Sequence, residues 1–289
     1  MNTNDQYTDK KNNRWQEKYG PWALVTGASD GIGKEFAGRL GRAGLNLVLV
    51  ARRTDILDRL AGEFSESYGV QTKTIGADLA RDEDIHKILN ETEGMDIGLL
   101  VASAGFGTSG SFIDASLDRE IEMLDVNCRA VLSLTHYLGS RFAHRKRGGI
   151  VLMSSIVAFQ GVPRAANYAA TKAYVQTLAE GLRTELAPFG VDVIASAPEP
   201  VHSGFAERAN MKMGMALKPA VIADQTLSAL GRKTTVRPGW LSKFLELALK
   251  LPRWARVRIM TVVMDGMTKH HGKSGRSEDN VGPCLGVCQ

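Results

Sequence analysis

Thr26-Gly27-Ala28-Ser29-Asp30-Gly31-Ile32-Gly33 is the stretch of sequence that decides the fold. It follows the short apolar run Ala23–Thr26 and leads directly into a segment with helical periodicity. A glycine-rich turn at a helix N-terminus offers free N–H groups and the positive end of the helix dipole, and its lack of side chains lets a phosphate approach the backbone. We interpret the turn as a pyrophosphate-binding loop, and a tight turn in another kind of α/β protein is the alternative.

Short apolar runs and helical stretches alternate along most of the chain. The runs, rich in Val, Leu and Ile, are Ala23–Thr26, Leu45–Ala51, Gly98–Ala102, Ile150–Ser154 and Val191–Ala195. The helical stretches are Lys34–Ala43, Thr54–Tyr68, Asp82–Glu93 and Tyr168–Ala187. Near-continuous apolar runs are typical of strands buried on both faces. Their alternation with helices predicts an α/β protein with a doubly wound parallel sheet, the Rossmann fold.

The domain boundaries follow from where this alternation begins and ends. Residues 21–271 are predicted to form one domain, because a single α/β domain reaches about 250 residues. The polar residues 1–20 are expected to be a flexible arm, and residues 272–289 a disordered tail. Residues 240–271 are predicted to be an amphipathic helical extension with basic residues nearby. Its apolar face carries Leu241, Phe244, Leu245, Ala248 and Leu249.

The composition argues against several classes of protein. The hydrophobic fraction of 44% and the charged fraction of 23% are ordinary for a globular domain. The net charge of +5 is mild and does not favour nucleic acid as a partner. The three cysteines, Cys128, Cys284 and Cys288, fit neither a disulfide framework nor a metal site. Because no signal peptide and no run of about 18 apolar residues occurs, we expect a cytoplasmic protein.

Arg52 and Arg53 stand at the end of the second predicted strand. In NAD-selective enzymes of this fold, an acidic residue about 20 positions after the glycine loop binds the ribose hydroxyls. A guanidinium pairs instead with a 2′-phosphate, which a carboxylate would repel. We therefore predict NADP(H) rather than NAD(H), and the alternative is that the arginines point to solvent. Asp78, after a third apolar stretch, is expected to bond the adenine amino group.

Ser154-Ser155 and Tyr168-Ala169-Ala170-Thr171-Lys172 bring together groups suited to proton transfer. Tyr168 and Lys172 are spaced i, i+4 and share one face of a helix. Reduction of a carbonyl needs a hydride at carbon and a proton at oxygen. A phenol, with an ordinary pKa of about 10, is expected to act as the acid–base group once a nearby ammonium lowers that pKa. Ser155, at a strand end, is expected to hydrogen-bond the developing oxyanion.

These motifs together resemble the short-chain dehydrogenase/reductase family, from about Trp22 to Ser203. The family's TGxxxGxG motif matches Thr26 to Gly33, and its catalytic set matches Asn127, Ser155, Tyr168 and Lys172. The resemblance implies that Asn127 holds a water linking the lysine to solvent, and that Lys172 bonds the nicotinamide ribose. The cofactor contacts predicted in this way are Gly27, Ser29, Asp30, Gly31, Ile32, Gly33, Arg52, Arg53, Asp78, Leu79, Ala104, Gly105, Tyr168, Lys172, Pro198, Val201 and Ser203.

Three segments depart from the family pattern. Asn-Asn-Ala-Gly reads Ala102-Ser103-Ala104-Gly105 here, and the loss of both asparagines is expected to loosen side-chain bonding at the central strand. Pro-Gly-x-Val-x-Thr reads Pro198-Glu199-Pro200-Val201-His202-Ser203. The Ser203 hydroxyl is expected to bond the carboxamide, whereas Glu199 puts a bulky carboxylate where glycine is usual. Asp30 stands where many NADP-dependent members have a basic residue.

Trp22–Arg53 is similar to the branch of the family that includes 3-oxoacyl-CoA reductases and 17β-hydroxysteroid dehydrogenases. That similarity implies a carbonyl reductase or alcohol dehydrogenase for a lipophilic substrate, such as a fatty acyl ketone or a steroid. The family also implies a mobile lid at about residues 203–220 and assembly as a homodimer or homotetramer.

Two questions stay open at the level of sequence. The extension packs on its own domain, packs on a second subunit, or contacts an anionic membrane surface through residues 240–268, since basic amphipathic helices bind such lipids. The chain is an enzyme or, alternatively, a nucleotide-binding sensor that kept the fold and lost turnover. The complete Asn–Ser–Tyr–Lys set favours the enzyme.

Overall fold

A parallel β-sheet covered by helices forms the body of the protein in a computed structural model. The structure describes residues 15–201, 216–239 and 251–268. The predicted tail at 272–289, most of the predicted lid and residues 240–250 lie outside these described residues. Cys284, Cys288, His202 and Ser203 lie outside them too.

Seven parallel strands form the sheet, in the order β3-β2-β1-β4-β5-β6-β7. The strands are β1 (Trp22–Thr26), β2 (Asn46–Ala51), β3 (Thr72–Gly76), β4 (Ile97–Ala102), β5 (Gly148–Met153), β6 (Val191–Ser196) and β7 (Thr235–Val236). The strand order reverses between β1 and β4, and ligands of such sheets bind in the crevice at the carboxyl ends of the strands at this point. The predicted doubly wound fold is confirmed.

Helices lie on both faces of this sheet. They are α1 (Gly31–Arg42), α2 (Thr54–Tyr68), α3 (Asp82–Glu91), α4 (Leu117–Leu124), α5 (Ala130–His144), α6 (Ala166–Leu186), α7 (Pro219–Ala229) and α8 (Arg253–Thr268). A π-helical turn (Asp125–Arg129) joins α4 to α5, and a 3₁₀ helix (Ile156–Phe159) follows β5. The four helices predicted from periodicity agree with α1, α2, α3 and α6 to within one turn.

Side chains of the central strands alternate between the two helical layers. Leu24 and Leu100 pack on one face, and Val25 and Val101 on the other, all with 0% exposure. Burial of each such side chain contributes about 1.5–3 kcal/mol to folding. The strands are therefore held firmly from both sides, and the loops at their carboxyl ends start from fixed positions.

Strand β3 was predicted only as the apolar stretch before Asp78, without bounds, and β7 was not predicted. Of the β3 residues, only Ile75 is buried, with 1% exposure, because β3 lies at the edge of the sheet. An edge strand is covered on fewer sides, so its sequence lacks the continuous apolar pattern of a central strand. Strand β7 is only two residues long.

The segment before β1 is ordered from residue 15 onward. Residues 15–19 are helical, and the rings of Trp15 and Tyr19 lie 5.0 Å apart. Tyr19 is 5% exposed, and its hydroxyl donates to Asp192 Oδ2 at 2.7 Å. The flexible arm predicted for residues 1–20 therefore does not extend over residues 15–20, because these aromatic rings pack on the domain. Residues 1–14 lie outside the part of the chain that the structure describes.

Candidate active site

The glycine loop lies at the carboxyl end of β1, in the crevice of the sheet. Gly27 and Gly31 have φ angles of +68° and +53°, a region that glycine enters without strain. Asp30 caps α1, since its Oδ1 accepts a hydrogen bond from the Gly31 N–H at 2.7 Å. This cap accounts for an acidic residue at position 30. The predicted loop residues that line the cleft are Gly27, Ser29, Asp30, Gly31, Ile32 and Gly33.

The loop after β4 forms the wall facing the glycine loop. Thr26 Oγ1 accepts hydrogen bonds from the N–H groups of Ser103 and Ala104, both at 3.1 Å, and the Ser103 hydroxyl donates to the Thr26 carbonyl. The expected loosening at the missing asparagines is therefore wrong, because Ser103 provides the bond to β1. A Cβ on Gly27 would lie 2.9 Å from Ala104 Cα, so the two loops meet backbone to backbone. Ala104 and Gly105 line the cleft.

Arg52 and Arg53 line the cleft beside the glycine loop. Arg53 Nη2 donates to Ser29 Oγ at 3.1 Å, and Arg52 Nη1 lies 3.9 Å from Glu122 Oε1. Both arginines are exposed, so their charges are accessible from the cleft. The alternative, that one or both arginines point to solvent, stays open because both side chains are exposed, and Arg53 also contacts the loop.

Four further predicted contacts also border the cleft: Asp78, Leu79, Pro198 and Val201. Asp78 follows β3, and its Oδ1 accepts a hydrogen bond from the Ala80 N–H at 3.1 Å. The Pro198 carbonyl accepts from the Ile156 N–H at 3.1 Å, which joins the loop after β6 to the 3₁₀ helix. Ser203, predicted to bond the carboxamide, lies outside the described residues.

Glu199, whose fit was in doubt, is accommodated by a glycine elsewhere in the chain. The Glu199 side chain is 7% exposed and borders the cleft. Its carboxylate occupies the space that a side chain at Gly239 would need, and Gly239 has a φ of +107°. The bulk added at position 199 is therefore matched by the absence of a side chain at position 239.

Ser155, Tyr168 and Lys172 come together beyond the carboxyl end of β5, and all three line the cleft. Ser155 immediately precedes the 3₁₀ helix, and its hydroxyl is hydrogen-bonded with the Tyr168 phenol. Lys172 Nζ donates to the Met153 carbonyl at 2.9 Å and lies 5.8 Å from the centroid of the Tyr168 ring. The side chains are 9%, 9% and 6% exposed, so their polar groups are nearly removed from water.

The electrostatics of Tyr168 and Lys172 differ from the prediction. Burial raises the pKa of Tyr168 to about 12, although the hydrogen bond with Ser155 acts in the opposite direction. Burial also lowers the pKa of Lys172 to about 8. The expectation that the ammonium lowers the phenol pKa below its ordinary value is therefore wrong for this structure. Desolvation disfavours the charged form of both groups and is the main cause of both pKa shifts.

Asn127 lies in the π-helical turn between α4 and α5, a kind of turn frequent at functional sites. Its Nδ2 donates to the Phe106 carbonyl at 2.9 Å and to Thr171 Oγ1 at 3.0 Å, and its Oδ1 accepts from the Phe106 N–H at 3.1 Å. The Asn127 side chain thus ties the loop after β4 to α6. A Cβ on Gly105 would lie 2.9 Å from Asn127 Oδ1 and 3.3 Å from Lys172 Nζ. The Asn127 amide oxygen and the Lys172 amine therefore both lie close to the Gly105 Cα. The water link implied for Asn127 stays a prediction.

The cleft has a volume of about 560 Å³, within the range of small-molecule sites. Polar groups line the cleft at the glycine loop and around Tyr168, and α8 contributes mostly apolar side chains together with Arg256. Such a division suits a dinucleotide along the loops and an apolar molecule beside its reactive end.

A family model described as short chain dehydrogenase matches residues 21–214 of the chain. The chain belongs to the short-chain dehydrogenase/reductase family. It is therefore an oxidoreductase that acts on CH–OH groups with a nicotinamide cofactor.

Two named relatives of this short-chain dehydrogenase/reductase act on different substrates. A 7beta-hydroxysteroid dehydrogenase of Collinsella aerofaciens is 32% identical over 237 residues, which cover 79% of this chain and 89% of that protein. A very-long-chain 3-oxoacyl-CoA reductase of Phaeosphaeria nodorum is 35% identical over 219 residues, which cover 74% of this chain. That match covers 64% of the reductase, so the chain aligns with less than two thirds of this relative's length.

Solved structures show the same fold at similar identity. A 7beta-hydroxysteroid dehydrogenase structure has a TM-score of 0.79 and 30% identity, covering 85% of this chain and 98% of that one. A short-chain dehydrogenase from Sphingobium yanoikuyae in complex with NADPH has a TM-score of 0.73 and 27% identity, covering 91% and 99%. An alcohol dehydrogenase from Comamonas testosteroni, specific for bulky-bulky ketones, has a TM-score of 0.70 and 29% identity, covering 91% and 98%.

Helix α8 of this short-chain dehydrogenase/reductase carries cleft residues that the sequence analysis missed. They are Arg256, Ile259, Met260, Val263, Met264 and Met267. The helix is fixed to its own domain by a hydrogen bond from Arg256 Nη1 to the Phe159 carbonyl at 3.0 Å and by an ion pair between Arg164 and Asp265 at 2.6 Å. The helical spacing of the apolar residues at 260, 263, 264 and 267 was the available signal.

Residues 15–201, 216–239 and 251–268 are the part of the chain in which metal ligands and membrane-spanning helices can be assessed. Within these ranges there is no group of three or more His, Cys, Asp or Glu placed to hold a metal ion. Nor do they contain a helix with the length and apolar character needed to cross a membrane.

Proposed function

We propose that this protein is an NADP(H)-dependent carbonyl reductase, or in reverse an alcohol dehydrogenase, for a lipophilic ketone. The observation that carries this proposal is the convergence of Ser155, Tyr168 and Lys172 in the same cleft as the glycine loop. A steroid or 3-oxoacyl substrate is supported by the names of the relatives. The largely apolar lining contributed by α8 supports the same substrate class.

The preference for NADP(H) is proposed from the two arginines beside the loop. Arg53 already contacts Ser29, and Arg52 lines the cleft next to it, so both guanidinium groups are placed for a 2′-phosphate. The glycine backbone and the capped N-terminus of α1 fit a pyrophosphate. The Sphingobium yanoikuyae structure, which contains NADPH, supports this preference.

The reaction needs little from the protein beyond one proton and its placement. The reduced nicotinamide, when bound, supplies a hydride to the carbonyl carbon. Tyr168 donates its phenolic proton to the carbonyl oxygen, so the C=O π bond is replaced by one C–H and one O–H bond. Ser155 hydrogen-bonds the developing oxyanion, which stabilises it by about 3–4 kcal/mol. The raised pKa of Tyr168, about 12, keeps this proton in place at neutral pH.

Replacing Tyr168 tests the proposal directly. Tyr168→Phe keeps the ring and removes the proton donor, so NADPH should bind with nearly unchanged affinity while reduction falls by at least about a hundredfold. The measurements are a fluorescence titration with NADPH and reduction rates over a panel of lipophilic ketones. Full turnover by the variant would remove Tyr168 from the mechanism. Tight NADPH binding by the parent protein without turnover of any ketone would favour the sensor.

The oligomeric state, the location in the cell and contact with a membrane are proposals as well. We expect a homodimer or homotetramer and a cytoplasmic location. Contact with an anionic membrane through residues 240–268 also stays a prediction. The exposed side chains of α8, Trp254 at 69% and Val262 at 74%, are the described residues available for that contact.

A further inference from the structure

One face of α8 closes the substrate part of the cleft. Arg256, Met260, Val263, Met264 and Met267 line the cleft together, since residues spaced three or four apart share a helix face. Met264 is 3% exposed and Val263 is 45% exposed, so the domain covers this face at Met264 and leaves it accessible at Val263. The wall is therefore apolar and adaptable along most of its length, with one cation at its N-terminal end.

Arg256 is a cation without a counter-ion among the described residues. Its Nη1 makes the hydrogen bond to the Phe159 carbonyl. Its Nε is buried and, in the part of the chain that the structure describes, has no hydrogen-bond partner. A neutral carbonyl does not balance the charge of a guanidinium. Desolvation of an unpaired charge is costly, so a charge-balancing group at this place would stabilise the site.

A second arginine lies near Phe159. Arg237 lines the cleft, and its guanidinium carbon lies 4.5 Å from the centroid of the Phe159 ring. Phe159 is thus approached by Arg237 at its ring and by Arg256 at its carbonyl. The Glu199 carboxylate lines the same cleft, and Arg256 is the cation that carries the proposed contact.

We infer that the substrate is an amphipathic ketone with a carboxylate remote from the carbonyl, and that Arg256 pairs with this carboxylate. The inference rests on the proposed carbonyl reductase function and names its substrate class. An anionic group at one end and an apolar body match the cation and the methionine-rich wall that line the same cleft. Arg256 is then a specificity-determining residue, whereas Tyr168 and Ser155 act on the carbonyl.

A 3₁₀ helix separates Ser155, beside the phenol, from Phe159, whose carbonyl Arg256 contacts. Ser155 precedes this helix and Phe159 ends it, and a 3₁₀ helix rises by about 2 Å per residue, so the two positions are roughly 8 Å apart. The carboxylate is therefore separated from the reacting carbonyl by several carbon–carbon bonds. An acid whose carboxylate directly neighbours the carbonyl is too short.

Matched ketones test the inference on the full-length protein with NADPH. The first pair is a 7-oxosteroid with a carboxylate at the end of its side chain and the methyl ester of that compound. The second pair is 12-oxooctadecanoic acid and its methyl ester. We expect kcat/KM for each acid to exceed that for its ester by about tenfold or more, mainly through KM, as for one charge-assisted contact. The coenzyme A thioester of 12-oxooctadecanoic acid shows whether phosphates can replace the carboxylate.

Substitution of Arg256 assigns the preference to one side chain. Arg256→Gln should lower kcat/KM for the acids about tenfold or more and leave the esters nearly unchanged, and Arg256→Lys should retain part of the preference. Arg258→Gln is the matched control, because Arg258 lies on the same helix, is exposed and does not line the cleft. It should change neither substrate.

The outcomes separate the two proposals. Equal rates for acid and ester, unaffected by Arg256→Gln, would overturn the carboxylate inference and leave the reductase intact. Equal losses for acid and ester in Arg256→Gln would mean a structural role and would also overturn it. A higher rate with the thioester than with the free acid would replace carboxylate by phosphate recognition. If no ketone is reduced, calorimetric binding of the saturated parent acid to wild type and Arg256→Gln still decides the inference, and equal affinities would refute it.

Discussion

Tyr168 shows how burial and charge compete at a single residue. Its spacing from Lys172 places an ammonium near the phenol, yet the hydrogen bond of Lys172 goes to the Met153 carbonyl. Both residues are almost completely buried, and desolvation disfavours their charged forms. The geometry therefore favours a phenol that holds its proton, which is the form needed to protonate a carbonyl.

The pH dependence of the two directions should differ for this reason. Alcohol oxidation needs the phenolate, and with a Tyr168 pKa of about 12 its rate should rise steadily from neutral pH to about pH 10. Carbonyl reduction should stay level below about pH 8 and decline above it, because the Lys172 ammonium, with a pKa of about 8, loses its proton there. Initial rates in both directions provide the check. A plateau of oxidation near neutral pH would show that the phenol is far more acidic during turnover.

Gly105 is the second residue at which a local prediction can be made. Its backbone needs no positive φ, but a Cβ would press on Asn127 Oδ1 and Lys172 Nζ. Gly105→Ala should destabilise the protein by about 1–3 kcal/mol through overpacking. Displacement of the amine by about 1 Å should lower kcat by up to about a hundredfold. Thermal unfolding and ketone reduction measure the two effects.

Gly62→Ala is the control for Gly105. Gly62 lies on α2, and a Cβ there meets nothing within 4 Å. Alanine in a helix is favoured over glycine by about 1 kcal/mol, so this variant should be as stable as the parent or slightly more so. Wild-type behaviour of Gly105→Ala would show that the loop after β4 yields easily.

At the scale of elements, one side of the cleft is built from two loops, the one between β2 and α2 and the one that leads from β1 into α1. The loop after β1 supplies Ser29 and the cap Asp30, and the end of β2 supplies Arg52 and Arg53. Asp30 is compatible with the basic pair Arg52 and Arg53 on the neighbouring strand, because its carboxylate accepts a hydrogen bond from the Gly31 backbone N–H. Parallel pairing of β1 with β2 brings these loops side by side.

The basic pair predicts cofactor selectivity. Arg52→Ala combined with Arg53→Ala should raise KM for NADPH at least about a hundredfold, because charged hydrogen bonds contribute about 1.5–3 kcal/mol each, and should change KM for NADH little. Steady-state kinetics with both cofactors measure this. Arg59→Ala, on the exposed side of α2, serves as the control and should affect neither. Equal losses for both cofactors in the double variant would contradict a 2′-phosphate site.

At the scale of the whole molecule, an apolar stripe is exposed that the described residues 15–201, 216–239 and 251–268 do not cover. Leu117, Ile121 and Leu124 on α4 are 70%, 47% and 43% exposed, and Leu132 on α5 is 45% exposed. Their spacing places them along one face of the α4–α5 segment. Contiguous exposed apolar residues mark interaction sites, and a second copy of this chain is the partner that the family resemblance implies.

Introducing a charge into this stripe should dissociate the assembly. Ile121→Asp is expected to shift the protein from the oligomer to the monomer in light scattering, because a carboxylate in an apolar interface would be desolvated. Ile121→Leu keeps the apolar character and should leave the mass unchanged. A wild-type protein that is already monomeric at micromolar concentration would refute the interface.

Sequence patterns predicted those elements whose structure depends on residues close to them in the chain. The bounds of α2, the glycine loop and the spacing of Tyr168 and Lys172 depend on local periodicity and on turn chemistry, so they could be predicted. Strand β3 was indicated only as an apolar stretch before Asp78, without bounds, because its position at the sheet edge leaves it with a single buried residue. The apolar face of the extension was assigned to residues 241–249, outside the described residues, and the cleft-lining face of α8 was missed.

The amino-acid sequence by itself determined the fold class and the family, together with the loop, strand-end and helix positions that carry the candidate chemistry. It did so because hydrophobic periodicity and short motifs act over neighbouring residues. Only the tertiary structure decided the direction of the Tyr168 and Lys172 pKa shifts, the match of Glu199 with Gly239, and the placement of Arg256 in the cleft. Each of these depends on desolvation or contact between residues that only folding brings together.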